Sequence, residues 1–230
     1  METNFKYTDN IFKVRSWIEE LATKKVIACD FEVASLYDDE EKARCAKKLE
    51  DSISDEDKLY FRQIINSNGL SYPALTKLTH LSVAWSANDA YVFILAKDNV
   101  RNALLEFLTD TDVLELWHNA CYDLKHIYYY THKFPKHFVD TQLLAKCYLN
   151  NASNALCDTS LKYLMKDEYG DWAIAKDNFN QNNQYDEKML EYSATDACAT
   201  YALFRQMCKE HRQILDYLSE SFQQASSDKL

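Results

Sequence analysis

The chain contains very little glycine or proline: each occurs only twice in 230 residues. Both residue types are common in turns and linkers, so their scarcity argues against long flexible linkers and low-complexity segments. No apolar run approaches the roughly 20 residues of a membrane-spanning helix, and the opening METNFKYTDN has no signal-peptide core. We therefore expect a single domain over residues 1–230, with no membrane partner and a polar tail over about 222–230.

The cysteines form no C-x-x-C pair, a spacing typical of zinc sites and dithiol redox motifs. Their scattered positions predict small buried side chains in a reducing cytoplasm, with neither disulfides nor a zinc site. Cys121, Cys147 and Cys198 have apolar neighbours in the sequence and are predicted to lie in the core. The seven cysteines are residues 29, 45, 121, 147, 157, 198 and 208.

The chain also has few basic residues: it contains 26 Lys and Arg against 36 Asp and Glu, which gives a net charge of −10. Broad clamping of duplex DNA requires many Lys and Arg contacts to phosphates, so the composition argues against that mode of binding. It leaves room for a protein that holds a few nucleotides of a strand end through metal ions and local contacts. Such a protein would depend on a partner to bring its substrate.

Hydrophobic spacing and capping residues predict a mixed α/β fold, in which an antiparallel hairpin is added to a partly parallel sheet flanked by helices. The segment over about 37–67 is charged and strongly helical in composition, and we interpret it as a helical insertion. The predicted elements are helices over 11–23, 99–110, 120–131, 141–149 and 186–218, a short helix capped by residues 158–160, and strands over 25–32, 78–86, 90–96, 113–119 and 137–140.

The stretch IACDFE places Asp30 and Glu32 at the end of an apolar strand. Residues i and i+2 of a strand point to the same side, so the two carboxylates should project together. Like charges at this spacing repel unless a positive group lies between them, and a divalent metal ion is the usual solution. Considered alone, the pair could equally form salt bridges at the surface.

Two other stretches place acids at helical positions. In HNACYDLKHI, Asn119 precedes Asp123 by four residues, and in EYSATDACATYALF, Tyr192 precedes Asp196 by four, on one helix face. Asp140 follows a strand and precedes TQLLAK, which predicts a structural helix N-cap, so it is left out of the metal set. Residues His118 and His126 are predicted to make local hydrogen bonds and no metal contacts.

Together the motifs D-x-E, N-x-x-x-D and Y-x-x-x-D resemble the three motifs of the DEDD 3′–5′ exonucleases, in the order that family uses. The Tyr at position 192 resembles the tyrosine branch, since the histidine branch would place His at position 191, where this chain has Glu. The flanking sequence over about 25–210 is most similar to the proofreading domain of DNA polymerase I-type enzymes, especially those of bacteriophages. The resemblance implies a ribonuclease H-like fold.

What the resemblance implies chemically is a mechanism with two Mg²⁺ or Mn²⁺ ions about 3.5–4 Å apart. Asp30 would bridge both ions, while Glu32 and Asp196 would complete the first, which activates the attacking water. Asp123 would hold the second, directly or through water, beside the leaving 3′ oxygen. Tyr192 would orient the water together with Glu32, because a phenol with a reference pKa of about 10 is a poor base.

For the substrate, the resemblance implies that Asn119 contacts the terminal nucleotide and that Leu36 wedges against its base. The reaction would release nucleoside 5′-monophosphates from the 3′ end of single-stranded DNA. The implied role is proofreading, with a DNA polymerase subunit or module as a candidate partner.

Several alternatives remain open from the sequence. An RNA-trimming enzyme of the ribonuclease D type would use the same chemistry, although we expect such an enzyme to carry a further helical domain downstream. A scaffolding subunit would keep the fold and lose one or more acids, whereas all four acids are present here. The insertion over 37–67 is either a solvated ornament or a segment that contacts a polymerase or guards the strand entrance.

Overall fold

The structure is a computed structural model that describes residues 2–52, 54–66, 72–148, 159–170, 172, 183–214 and 216–218. Within these residues, six strands form one sheet flanked by helices. The strands are β1 (Asn4–Thr8), β2 (Val26–Ser35), β3 (Thr76–Ala84), β4 (Asp89–Ile94), β5 (Leu114–Trp117) and β6 (Phe138–Asp140). The helices are α1 (Ile11–Leu21), α2 (Asp39–Asp51), α3 (Asp55–Ile65), α4 (Asp98–Asp110), α5 (Ala120–Thr131), α6 (Thr141–Tyr148), α7 (Leu161–Leu164), α8 (Lys166–Tyr169) and α9 (Glu187–Glu210).

The sheet is mixed, as the sequence predicts, and its strand order is β1-β4-β3-β2-β5-β6. β3 pairs antiparallel with both β2 and β4, and the β3–β4 pair is the predicted hairpin. The remaining pairs, β1–β4, β2–β5 and β5–β6, are parallel. The predicted mixed α/β architecture is therefore confirmed.

Strand β1 is absent from the sequence-based prediction. It spans five residues at the sheet edge and pairs with β4 from the Asn4–Asp89 position to the Thr8–Phe93 position. So short an edge strand gives a weak periodic signal, and its pairing with a strand some 80 residues away is not visible in local sequence.

Strand β2 separates two hydrophobic cores because its side chains alternate between the two faces of the sheet. Ile27 and Phe31 belong to the core shared with α1, α4 and α5. Ala28 faces the opposite core, which the sheet shares with α6 and α9. Asp30 and Glu32 continue the Ala28 face, so the strand delivers both carboxylates to the α9 side of the sheet.

The predicted insertion over 37–67 is helical in its described part, which comprises α2 and α3. Helix α2 begins with a capping box between Asp38 and Glu41, and Ser54 caps α3 by accepting a hydrogen bond from the Asp57 N–H. Helix α2 has no buried residue, and Ile64 is the buried residue of α3. The insertion is thus a largely solvated helical pair, and residues 53 and 67–71 lie outside the described part.

Some predicted details differ from the structure. Helix α9 ends at Glu210, with His211 at its C-cap, so the predicted continuous helix to residue 218 was too long. Cys198 is buried as predicted, but the prediction for Cys121 and Cys147 was wrong. Both are exposed, because each lies on the outer side of a helix whose opposite side packs on the sheet. Residues 149, 157, 158 and 222–230, which carried other predictions, lie outside the described residues.

No helix in the described ranges has both the length and the apolar character needed to cross a membrane.

Candidate active site

Three carboxylates from two elements meet on the α9 side of the sheet. Asp30, Glu32 and Asp196 each place an oxygen atom within 4.8 Å of the others. A hydrogen bond of 2.5 Å between the Ser82 and Ser193 hydroxyls joins β3 to α9 close by. Because Ser82 pairs with Asp30 in the sheet and Ser193 lies one turn before Asp196, this contact sets the position of the helix carboxylate over the strand carboxylates.

Small side chains allow α9 to pack closely on the sheet at this position. Ala28 and Ala84 on the strands belong to the same core as Ala194 and Ala197 on the helix. All four are fully buried. Interiors are close-packed, so larger side chains here would push the helix away and separate Asp196 from the strand.

Asp123 reaches the same strand from the other side of the site. It lies in the first turn of α5 and is 3% exposed. Its Oδ1 accepts a hydrogen bond of 3.2 Å from the backbone N–H of Phe31, the residue between the two strand acids. The Phe31 ring stacks on Trp117 at the end of β5, with ring centroids 5.5 Å apart, which packs β2 against the strand that leads into α5.

Asp140 caps the N-terminal ends of two helices, α5 and α6. Its carboxylate accepts hydrogen bonds from the N–H groups of Gln142 and Leu143, so the predicted N-cap is confirmed. It also accepts from the N–H groups of Asn119 and Ala120, at 3.1 and 3.0 Å. Asn119 has a left-handed backbone with φ of 64°, and Asp140 supplies the capping that the Asn119 side chain does not make.

Residues Tyr192 and Lys162 cover the carboxylate cluster. Tyr192 lies one turn before Asp196 on α9 and is 2% exposed. The Lys162 Nζ lies 2.9 Å from Asp196 Oδ2 and 4.9 Å from the centroid of the Tyr192 ring. The Nε1–H of Trp172 donates to the other Asp196 oxygen, Oδ1, at 2.6 Å.

The site carries an excess of negative charge in a poorly solvated environment. Burial raises the pKa of Asp30 well above its usual value, and the carboxylates of Asp196 and Glu32 raise it further. Burial likewise raises the pKa of Asp123, against the opposing effect of the Phe31 hydrogen bond. The pKa of Tyr192 is raised by burial and then by Asp196, so its phenol stays protonated at neutral pH.

This donor set fits a hard divalent cation. Carboxylate oxygens are the ligands that Mg²⁺ prefers, and three of them are already gathered within 4.8 Å. A cation at this position would relieve the repulsion that raises the pKa of Asp30.

The carboxylates open onto a cleft of about 300 Å³. Leu36, which the resemblance implies is a wedge against the terminal base, does not line this cleft. Strand β2 ends at Ser35, the Leu36 N–H pairs with the Leu75 carbonyl at the base of the insertion, and the side chain is 52% exposed. The other predicted site residues do line the cleft, namely Asp30, Glu32, Asn119, Asp123, Tyr192 and Asp196.

Both histidines make the local hydrogen bonds that were predicted. Nδ1 and Nε2 of His118 contact the Thr141 hydroxyl and the Thr159 carbonyl, and burial lowers its pKa to about 4. His126 bridges the Thr76 hydroxyl and the Tyr122 carbonyl, and burial lowers its pKa to about 4 as well. Both rings are therefore neutral structural links.

The cleft is also lined by residues that sequence reasoning missed, among them Tyr122, Lys162 and Met189. Tyr122 and Met189 lie next to predicted site positions but carry no chemical signal of their own. Lys162 is one of 26 basic residues, and only the packing of α7 against α9 distinguishes it from a surface lysine.

Comparison with known proteins supports the exonuclease resemblance. A family model described as 3′–5′ exonuclease matches residues 69–212. The match includes Asp123, Tyr192 and Asp196, while Asp30 and Glu32 precede it and join the site through the fold. No curated protein matches the chain.

Solved structures share the fold at low sequence identity. NrnC of Brucella melitensis with bound Mg²⁺ is 13% identical, with a TM-score of 0.55 over 97% of this chain and 89% of that one. Trypanosoma brucei RNase D in complex with RNA U12 is 14% identical, with a TM-score of 0.57 over 87% of this chain and 61% of that one. Escherichia coli RNase D is 13% identical, with a TM-score of 0.55, and this chain covers 49% of its length.

These similarities confirm the predicted ribonuclease H-like fold. The family model spans more than half of the chain, and the chain therefore belongs to the DEDD family of 3′–5′ exonucleases.

Proposed function

We propose that the chain shortens single-stranded nucleic acid from its 3′ end and releases nucleoside 5′-monophosphates, using two Mg²⁺ or Mn²⁺ ions. The observation that carries this proposal is the meeting of Asp30, Glu32 and Asp196 within 4.8 Å, with Asp123 bound to the same strand. Four acids from three separate parts of the chain repel one another unless a cation lies between them. A site that brings them together is therefore best explained by metal binding.

In this proposal, Asp30, Glu32 and Asp196 would hold one divalent ion, and Asp123, directly or through water, would hold the second together with Asp30. When bound, such a pair supplies an activated water and neutralises the charge that develops on the phosphate. The carboxylates would position the two ions, and the ions in turn would hold the anionic phosphodiester in the cleft.

Tyr192 acts in this proposal as the residue of the tyrosine branch. Because its pKa is raised by burial and by Asp196, its hydroxyl stays protonated and can donate a hydrogen bond to the attacking water. Glu32 accepts from the same water, so the two side chains orient it without a proton leaving the phenol. Asn119, on its left-handed turn at the cleft, contacts the terminal nucleotide.

The first candidate substrate is a DNA 3′ end, which the sequence resemblance to polymerase proofreading domains favours. RNA is the second candidate, and the fold similarity to RNase D solved with RNA U12 favours it. If DNA is the substrate, we propose a DNA polymerase as the partner. With a net charge of −10, the chain offers little general affinity for nucleic acid, so a partner that delivers the strand would raise the rate.

A single assay tests the reaction, its direction and the sugar preference. Short DNA and RNA oligonucleotides of one sequence, labelled at the 5′ end, are incubated with the protein in Mg²⁺, in EDTA, and in EDTA followed by excess Mg²⁺. We expect a ladder that shortens from the 3′ end, stops in EDTA and resumes with Mg²⁺. A blocked 3′ end should prevent it, and the faster of the two ladders identifies the sugar.

The matched control is Asp30→Asn, which keeps the size of the side chain and removes its charge. It should leave both oligonucleotides intact. Normal digestion by this variant, or cleavage at internal positions, would rule out the proposed function.

A further inference from the structure

Asp196 already has a hydrogen-bond donor on each of its two oxygens. Oδ2 accepts from the Lys162 ammonium at 2.9 Å, and Oδ1 accepts from the Trp172 Nε1–H at 2.6 Å. The Asp196 side chain is only 7% exposed. A cation that is to bind this carboxylate therefore meets an existing positive charge on it.

Lys162 places a positive charge beside the carboxylate cluster through its ion pair with Asp196. Among the described residues that line the cleft, it is the only lysine or arginine. Burial alone would lower the pKa of Lys162, but Asp196, and beyond it Asp30 and Glu32, raise it above the usual value. The ammonium is thus charged and interacts with all three carboxylates of the cluster.

We propose that Lys162 stands in for a divalent ion when the site holds no metal, and that it leaves Asp196 when metal binds. This inference rests on the proposed function, because it takes the three carboxylates as metal ligands. Lys162 would then lower the affinity of the site for metal and stabilise the fold when no metal is bound.

Two physical features support an exchange of this kind. An ammonium and a divalent ion attract the same carboxylate oxygens and repel each other, so occupancy by one disfavours the other. The lysine charge sits on a flexible four-carbon stem, and the Lys162 side chain is 33% exposed at the cleft. The ammonium can therefore swing into the cleft without unfolding of α7.

The variant Lys162→Met removes the charge and keeps much of the apolar stem. With the protein stripped by EDTA and then dialysed, Mn²⁺ binding is measured by electron paramagnetic resonance of the free ion. We expect Lys162→Met to bind Mn²⁺ about tenfold more tightly than the original chain, the scale of changes in the surroundings of metal ligands. Lys162→Arg, which keeps the charge, should bind Mn²⁺ close to the original affinity.

The control is Lys188→Met, because Lys188 is exposed on α9 one turn before Tyr192 and shows the effect of losing one charge near the cleft. Thermal unfolding supplies the second measurement. Lys162→Met should unfold at a lower temperature without metal and recover most of the difference in saturating Mn²⁺. A lysine with only a structural role would lower the unfolding temperature equally in both conditions.

The outcomes separate the two proposals. If the original chain binds Mn²⁺ and Lys162→Met binds it equally or more weakly, the inference about Lys162 is wrong and the metal site stands. If the original chain binds no Mn²⁺, or Asp30→Asn binds it equally well, the proposed function itself fails. Should Lys162→Met not fold, Lys162→Gln gives the same comparison with a polar side chain.

Discussion

The carboxylate of Asp123 accepts a hydrogen bond from the backbone N–H of Phe31, 92 positions earlier in the chain, at a distance of 3.2 Å. This bond joins the first turn of α5 to the strand that carries Asp30 and Glu32. It uses one oxygen of Asp123, so the other oxygen remains for a different contact. The same carboxylate can therefore hold the fold together and face the cleft.

Asp123→Asn should separate these two roles. The amide oxygen can still accept the Phe31 hydrogen bond, while the neutral side chain is a poor metal ligand. We expect exonuclease activity to fall more than about 100-fold, the upper range for altered metal sites. In EDTA at pH 8 the unfolding temperature should stay equal or rise, because a buried carboxylate with a raised pKa has been removed.

For comparison, Asp112→Asn changes an exposed acid that pairs with Lys136 at 3.3 Å at the surface. It should alter neither activity nor the unfolding temperature. If Asp123→Asn keeps full activity, or unfolds far below the original chain, the division of labour described for Asp123 is wrong.

The sequence predicted different parts of this site for different physical reasons. Asp30 and Glu32 were predictable from local chemistry, because strand alternation alone places them together. That Asp123 and Asp196 join them depends on how distant elements pack, and only the family resemblance supplied it. Lys162 was missed because neither a local pattern nor a recognised motif marks it.

The elements of the fold likewise divide into those that local sequence predicts and those that depend on long-range packing. The hairpin and the helices have local periodic signals and were predicted close to their observed bounds. Edge strand β1 and the end of α9 at Glu210 depend on long-range pairing and packing, so they were missed or misplaced. The role of Leu36 came from the resemblance alone, and its side chain is exposed where the insertion begins.

Tyr192→Phe should lower activity only about tenfold, the scale expected for the loss of one hydrogen bond. The ring and its contact with the Lys162 ammonium remain, and only the hydroxyl that we propose orients the water is removed. Single-turnover rates on a short oligonucleotide, compared with Asp196→Asn, provide the measurement. An unchanged rate would exclude a role for the hydroxyl, and a loss as complete as that of Asp196→Asn would require a larger role than positioning.

Glu115→Gln should change how stability depends on pH. Glu115 is fully buried in β5, its Oε2 accepts from the Trp117 Nε1–H at 3.0 Å, and its Oε1 has no hydrogen-bond partner among the described residues. Burial raises its pKa well above the usual value, against the effect of the Trp117 hydrogen bond. The folded state therefore binds this proton more tightly than the unfolded state does.

The direction in which stability changes with pH follows from this difference between the folded and unfolded pKa. The contribution of Glu115 to stability is fully present below its unfolded pKa of about 4.3, and it is lost as the pH rises towards the higher folded pKa. Glutamine does not titrate, so the stability of the variant relative to the original chain should increase as the pH rises from 5 to 8. Urea unfolding at several pH values measures it, and a difference that does not vary with pH would contradict it.

Removal of residues 38–66 tests whether the insertion shapes the site. The Leu36 N–H donates to the Leu75 carbonyl at 3.0 Å, so the chain enters and leaves the insertion near one place, and a short Gly/Ser linker can close the gap at low entropic cost. Helix α2 has no buried residue, and the loss of buried Ile64 should cost about 1.5–3 kcal/mol. We therefore expect a folded protein that hydrolyses short single strands within about threefold of the original rate, since none of the described residues that line the cleft lies between 38 and 66.

Substrate length then distinguishes the two interpretations of the insertion. A solvated ornament predicts that long and short strands are affected equally by the deletion. A segment that guards the strand entrance predicts a change confined to long or base-paired substrates, because short strands would be held within the cleft alone. Loss of all activity in a deletion that still unfolds cooperatively would contradict both, because it would mean that the insertion holds the carboxylates of β2 in position through the strand end at Ser35.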